Sequence, residues 1–153
     1  MNNELFECRV HYEQTQDNGM VKKVTESYLV EAMSFTEAEA RITEEMNAYL
    51  SGDFEVVSVV KRHYSEIIFT DDKLSCTWFK AKIFYIALDE KTGAEKKNSQ
   101  LVLIQTKDFS GAVGVLNGFV ATSLCDITIS SLTEMPYMDY FSYEEPAKKE
   151  VKS

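Results

Sequence analysis

The chain has 153 residues, 44% of them hydrophobic and 27% charged, which suits one folded domain and excludes both a disordered chain and a scaffold that needs disulfides to fold. A formal net charge of -9 argues against wholesale wrapping of nucleic acid, where a basic footprint is expected, while leaving room for a local basic patch. Three cysteines, Cys8, Cys76 and Cys125, match no metal or redox spacing, and His11 and His63 are the only histidines, so reduced thiols and no metal site are expected.

The opening Met1–Glu4 carries no basic or apolar leader pattern, and no apolar run reaches the roughly 18 residues of a membrane span, so a cytoplasmic chain with no membrane partner is expected. Phe6, Cys8, Val10 and Tyr12 then alternate with Glu7, Arg9 and His11, the period-two pattern of a half-buried strand. Asp17-Asn18-Gly19 is a turn, with Gly19 at a left-handed position, and a second strand runs to Ala32. Ser34-Phe35-Thr36-Glu37 is a capping box. Phe35, Ala38, Ile42, Met46 and Tyr49 follow on one helical stripe, with Gly52 as the stop. A third strand starts at Phe54, and apolar residues continue through Tyr64 to Phe69.

The second half repeats the first. Leu5–Tyr12 lies over Trp78–Tyr85 at an offset of 73 residues. The offset becomes 74 past the first turn, where Gly19 meets Gly93, Lys22-Lys23 meets Lys96-Lys97 and Phe35 meets Phe109. It returns to 73 before the last strand, where Asp53 meets Asp126 and Tyr64 meets Tyr137. Both shifts fall in expected loops. The second helix opens at Asp108 and keeps Phe109, Ala112, Leu116 and Phe119 or Val120 on one face. The expected fold is therefore α+β: a tandem, pseudo-symmetric ββαβ repeat with antiparallel sheet or sheets and two helices packed on one face. Residues 1–153 read as a single domain with repeats over 5–69 and 76–141 and a flexible tail over 144–153. The expected core is Phe6, Val10, Tyr12, Val30, Phe54 and Val56, with Phe79, Ile83, Tyr85, Ile104, Ile127 and Ile129.

Three stretches carry a resemblance: Phe6-Glu7-Cys8-Arg9-Val10-x-Tyr12, Lys22-Lys23-Val24-Thr25-Glu26-x-Tyr28-Leu29-Val30, and Ser34-Phe35-Thr36-Glu37-Ala38-Glu39-Ala40. With Leu88–Lys97 and Met135–Asp139 they make nearly the whole chain resemble DUF4494, a domain of unknown function met mainly in Bacteroides-type bacteria, their phages and mobile elements. The resemblance implies a small bacterial or phage protein. It transfers no catalytic or binding residue.

The residues themselves suggest where chemistry could sit. By alternation the strand face opposite the core holds Glu7, Arg9 and His11 in the first copy and Trp78, Lys80, Lys82 and Phe84 in the second. Cations beside exposed aromatics are what single-stranded nucleic acid needs, charges for phosphates and rings for bases. Arg9, Lys22, Lys23, Trp78, Lys80, Lys82, Phe84, Lys96 and Lys97 are therefore the candidate binding residues. The plainer reading, weighted about three to one, is that these cations are solvated strand residues and that Trp78 and Phe84 pack between the copies. Asp53 and Asp126 read as turn residues rather than a catalytic pair, Cys8 as a small core residue, and Tyr64 and Tyr137 as buried aromatics with bonded hydroxyls. No cofactor is expected, since the glycines of the second helix follow no phosphate-loop spacing. The composite expectation is a non-catalytic binding or adaptor module whose partner is a macromolecule, protein or single-stranded nucleic acid. The alternative is a small enzyme with its site at the junction of the repeats. A pocket holding a carboxylate of raised pKa favours the enzyme, and a flat face carrying Trp78 favours binding.

Overall fold

Alternation and turn chemistry close two long hairpins. The structure, a computed structural model, describes residues 4–70, 77–124 and 126–143. In the first hairpin β1 (Glu4–Thr15) pairs antiparallel with β2 (Val21–Ala32), and Gly19 holds φ 82° in the turn between them. A helix α1 (Phe35–Tyr49) and a strand β3 (Phe54–Arg62) follow, then a short β4 (Glu66–Phe69). The series repeats as β5 (Thr77–Leu88), β6 (Glu95–Thr106), α2 (Phe109–Ala121), β7 (Ile127–Met135) and β8 (Tyr137–Phe141). Gly93, at φ 71°, turns the second hairpin as Gly19 turns the first. The expected turns, caps and helix starts are all found. The linker over 71–75, with Cys76, Cys125 and the tail over 144–153, lies outside the described residues.

Ser34 caps α1 by accepting from the Glu37 amide at 3.1 Å, and Glu37 reaches back to accept from the Met33 amide at 2.8 Å. Asp108 does the same for α2, accepting from the Gly111 amide at 2.8 Å. Such caps hold helices of this length only when a face is buried. Ala38, Ile42 and Met46 supply that face in α1, and Ala112 and Leu116 in α2. Among the described residues, no helix is long and apolar enough to cross a membrane.

The chain divides into two compact units, one of residues 1–63 and 137–153 and the other of residues 64–136. The first contains a sheet in the order β3-β1-β2-β8, the second a sheet in the order β4-β6-β5-β7. Each carries its helix on one face. The α1 unit has a core of Phe6, Cys8, Val10, Tyr28, Val30, Ala32, Ala38, Ile42 and Met46, with Phe54, Val56 and Phe141 packed against it. The α2 unit has Ala81, Ile83, Val102, Ile104 and Leu116, with Ile68, Ile127 and Leu132 against them.

The fourth strand of each sheet is what the ββαβ reading lacked. β4 runs parallel to β6, with Ile67 opposite Leu103 and Ile68 opposite Ile104. β8 runs parallel to β2, with Tyr140 opposite Leu29 and Phe141 opposite Val30. The last strand of the first repeat thus completes the second unit, and the last strand of the second repeat completes the first. The outer strands β3 and β7 each carry one extra residue, Val57 between the partners of Val10 and Arg9, and Ser130 between those of Ile83 and Lys82. These matching bulges blunt two open edges.

Several packing expectations need correction. Phe35 and Phe109 are 52% and 54% exposed rather than core; each is the first residue of its helix, and the buried stripe begins three residues on, at Ala38 and Ala112. Their rings still meet equivalent buried partners edge-on, Phe6 at 4.9 Å and Phe79 at 5.9 Å. Tyr49 is likewise exposed, and Ile129 is 38% exposed beside the bulge in an edge strand. Tyr12 and Tyr85 are half-buried, with their hydroxyls on Glu26 and Gln100.

Candidate binding face

The hairpin registers sort the nine candidate residues. Lys82 lies opposite Leu101, Phe84 opposite Ser99 and Ile86 opposite Lys97, so Lys82, Phe84 and Lys97 share the helix-free face of the second sheet. Lys96 pairs with Ala87 and projects from the other face. In the first unit Arg9 pairs with Ser27 and Lys23 with Glu13 on the helix-free face, whereas Lys22, opposite Gln14, belongs to the helix-bearing one. The nine residues therefore occupy two faces in each of two units.

Trp78 corrects the stacking reading and agrees with the plainer one in being packed. Alternation assigns it to the helix-free face, but only 1% of its surface is exposed. β4 brings Phe69 against it, ring centroids 5.8 Å apart and nearly perpendicular. Leu103 on the same face is fully buried. The first unit repeats this on its own helix-free face, where Leu5, Glu7 and Leu29 are buried. An indole with this burial offers no surface for a base to stack on.

Glu7, also expected in solvent, is 5% exposed and held from three sides. Arg62 Nε donates to its Oε1 at 2.9 Å, Tyr137 Oη donates to the same oxygen at 3.3 Å, and Arg9 Nε reaches Oε2 at 3.4 Å. A buried carboxylate persists only with such partners. Arg9 is thereby engaged by Glu7, and Lys23 lies opposite Glu13 in register, whereas Lys22 lies opposite Gln14.

The second unit differs. β5 contains no acidic residue, and Lys82 and Lys97 place their ammonium groups over the Phe84 ring, 5.4 Å and 4.2 Å from its centroid. Each contact contributes about 0.5–1 kcal/mol at an exposed site and narrows the space the two flexible side chains sample. Lys80 is half-buried two residues before Lys82. Around them stand hydroxyls that composition did not single out: Ser99 opposite Phe84 on β6, Thr128 opposite Phe84 and Ser131 opposite Lys82 on β7. Counting register outward from the Gly93 turn would have found Ser99; the bulge at Ser130 hides the β7 pair from any such count.

Glu26 and Glu31 are structural carboxylates. Glu26 Oε1 accepts from both Tyr12 Oη, at 3.1 Å, and Tyr28 Oη, at 3.0 Å. Glu31 accepts from the Tyr140 hydroxyl and, at 2.8 Å, from the Tyr143 amide. Arg41 completes this end by donating to the carbonyls of Glu31 and Ser142 and lying over the Tyr143 ring. An open concavity of about 510 Å³ in the first unit is lined by residues that include Glu39, Thr43, Asp53 and Glu55. Among the described residues no group of three or more His, Cys, Asp or Glu could hold a metal ion.

Burial shifts four protons in one direction. It pushes the Cys8 thiol up to about 12, with Glu7 and Glu39 adding to the effect. Tyr28 and Tyr140 rise above the phenol range through burial first and then through Glu26 and Glu31, and Tyr12 rises for the same reasons as Tyr28. A folded pKa above the unfolded one stabilises the fold below the unfolded value and loses that contribution as pH climbs. For Cys8 the window opens near the free thiol's value of about 8.5 and closes near 12. The thermal midpoint should therefore hold steady near neutrality and fall through this alkaline window. Cys8→Ala should flatten the early part of the fall, and a midpoint that rises with alkali would contradict the assignment.

Comparison with known families gives one result of substance. A family model described as Domain of unknown function (DUF4494) matches residues 4–143. No curated protein matches the chain.

Proposed function

Taking as premise that the chain belongs to the DUF4494 family, we propose that it is a non-catalytic binding module which meets an anionic macromolecule, single-stranded nucleic acid, through the helix-free face of its second sheet. The observation that carries this reading is the lysine pair over Phe84, Lys82 on the acid-free strand β5 and Lys97 on β6, in a chain whose net charge is -9. Preplaced ammonium groups among hydroxyls suit phosphate contacts, which position a strand without reading its sequence. Phe84 already has lysines over its ring, and Trp78 is buried, so base stacking contributes little and binding is chiefly electrostatic. Lys82, Lys97 and Phe84 form the centre of the site and Lys80 its margin. Lys96 flanks the hairpin from the other face. On this reading such a partner would be one met in the bacteria, phages or mobile elements that the family resemblance implies.

The test is fluorescence anisotropy of labelled single-stranded oligonucleotides against salt concentration. Two phosphate contacts correspond to a slope in log K against log salt of about -1.4, at roughly -0.7 per contact on single strands. Lys82→Ala with Lys97→Ala should remove about that much slope, and Phe84→Ala should weaken binding with a smaller change. Absence of binding at about 100 µM protein and low salt, the weak end of non-specific affinities, would discard the nucleic-acid partner. A protein adaptor would then be the better reading, favoured by α2, which has no charged residue along its length.

A further inference from the structure

We propose that the slot beside β2 is a chain-exchange joint: a second copy of this chain can fill it with its own β8, giving a strand-exchanged dimer. The first ground is the repetition of the pairing. Shifting β4 by 73 residues and β6 by 74, the offsets of the sequence repeat, converts the Ile67–Leu103 pair into Tyr140–Leu29 and the Ile68–Ile104 pair into Phe141–Val30. The same edge of each hairpin thus receives a strand from a repeat other than its own, in the same register. A slot built this way requires a β8 sequence, and any copy of the chain supplies one.

The second ground is that exchange needs no new surface. β8 and the residues after it are held by Glu7, which accepts from Tyr137; by Glu31, which accepts from Tyr140 and Tyr143; and by Arg41, which donates to the Ser142 carbonyl at 2.9 Å. All three holders lie within residues 1–63 and are present in every copy. β8 is an edge strand of five residues, so it leaves its slot without dismantling β1, β2 or β3.

The third ground is the joint. Pro136 alone separates β7 from β8. A one-residue connection has no slack, and a proline there gives up no backbone amide bond. Short joints of this kind are where exchange between identical protomers occurs at low cost. Within one chain β8 competes at an effective concentration on the order of millimolar, so dilute protein is monomeric and the dimer forms when chains refold together at high concentration. The net charge of -9 opposes approach of two copies, so added salt should raise the exchanged fraction.

The test uses full-length chains carrying Cys76→Ser and Cys125→Ser, with the buried Cys8 left in place. One tagged chain carries Ser27→Cys and a differently tagged chain carries Tyr137→Cys, the two positions being register partners across β2 and β8. A second pair, Val30→Cys with Phe141→Cys, reports independently should either substitution impair folding. The chains are refolded together at high concentration, checked by circular dichroism and oxidised. Exchange predicts a disulfide between the two tags several-fold above that of either variant alone, increasing with concentration and salt. The chain carrying both Ser27→Cys and Tyr137→Cys should close within itself when refolded dilute. Mixed-tag cross-linking no greater than in the separate variants would overturn the proposal, and so would failure of the doubly substituted chain to close.

Discussion

Trp78→Ala is expected to destabilise the protein by about 3–5 kcal/mol, the cost of emptying a large buried site, and to leave oligonucleotide binding unchanged at temperatures where the variant stays folded. The indole is 1% exposed and meets Phe69 edge-on, so its removal leaves a cavity beside the Phe69 ring. At about 2–4 °C per kcal/mol for a chain of this size, the thermal midpoint should fall by roughly 10 °C. Trp78 is the only tryptophan, so the wild-type protein reports on itself: its emission should be that of a buried indole, shielded from an aqueous quencher until unfolding. Trp78→Phe should recover much of the loss by retaining an aromatic face for Phe69. A loss below about 1 kcal/mol, the range of surface substitutions, would return Trp78 to the surface and restore it as a stacking residue.

Trp78 also marks the limit of what alternation tells. Period two separates the residues of a strand into two faces, and that separation is correct here: Trp78, Lys80, Lys82 and Phe84 do share a face. Whether a face is covered depends on strands that are distant in sequence. β4 was legible only as an apolar run from Tyr64 to Phe69, with nothing local to say that it would pair in parallel with β6. The same gap concealed the burial of Glu7, whose partners Arg62 and Tyr137 lie 55 and 130 residues away. Turns, caps and helix stripes depend on neighbours within a few residues and could be read directly: Gly19 and Gly93, Ser34 and Asp108, Ala38 and Ile42. The internal repeat was legible because equivalent positions must satisfy equivalent environments, and Phe35 and Phe109 remain equivalent even in being half-exposed. At the candidate site, the cations were legible as residue types. Their grouping around Phe84 rests on the β5–β6 register, which sends Lys97 to the ring and Lys96 to the opposite face.

Gly111→Ala is expected to cost about 1–3 kcal/mol, the range for forcing an extra methyl into a packed site, although alanine is the better helix former. A Cβ at position 111 would stand 2.5 Å from Thr106 Oγ1 and 3.3 Å from the Asp108 carboxylate that caps the same turn. Thr106 is 5% exposed and branched at Cβ, so its hydroxyl has little freedom to give way. The repeat shows how the contact arose. The position equivalent to Thr106 in the first copy is Ala32, and that equivalent to Gly111 is Glu37. A small residue at the strand end accommodates a side chain on the helix, and a larger one demands glycine. Thr106→Ala should therefore rescue Gly111→Ala, with a coupling energy of about 1–3 kcal/mol in a double-mutant cycle measured by urea denaturation. Gly114 and Gly118 supply the contrast, since a Cβ at either meets nothing within 4 Å. Gly114→Ala and Gly118→Ala should each stabilise the protein by up to about 1 kcal/mol through helix propensity alone. If Gly111→Ala stabilises it by the same amount, the close approach of α2 to the end of β6 is not what selects glycine at that turn.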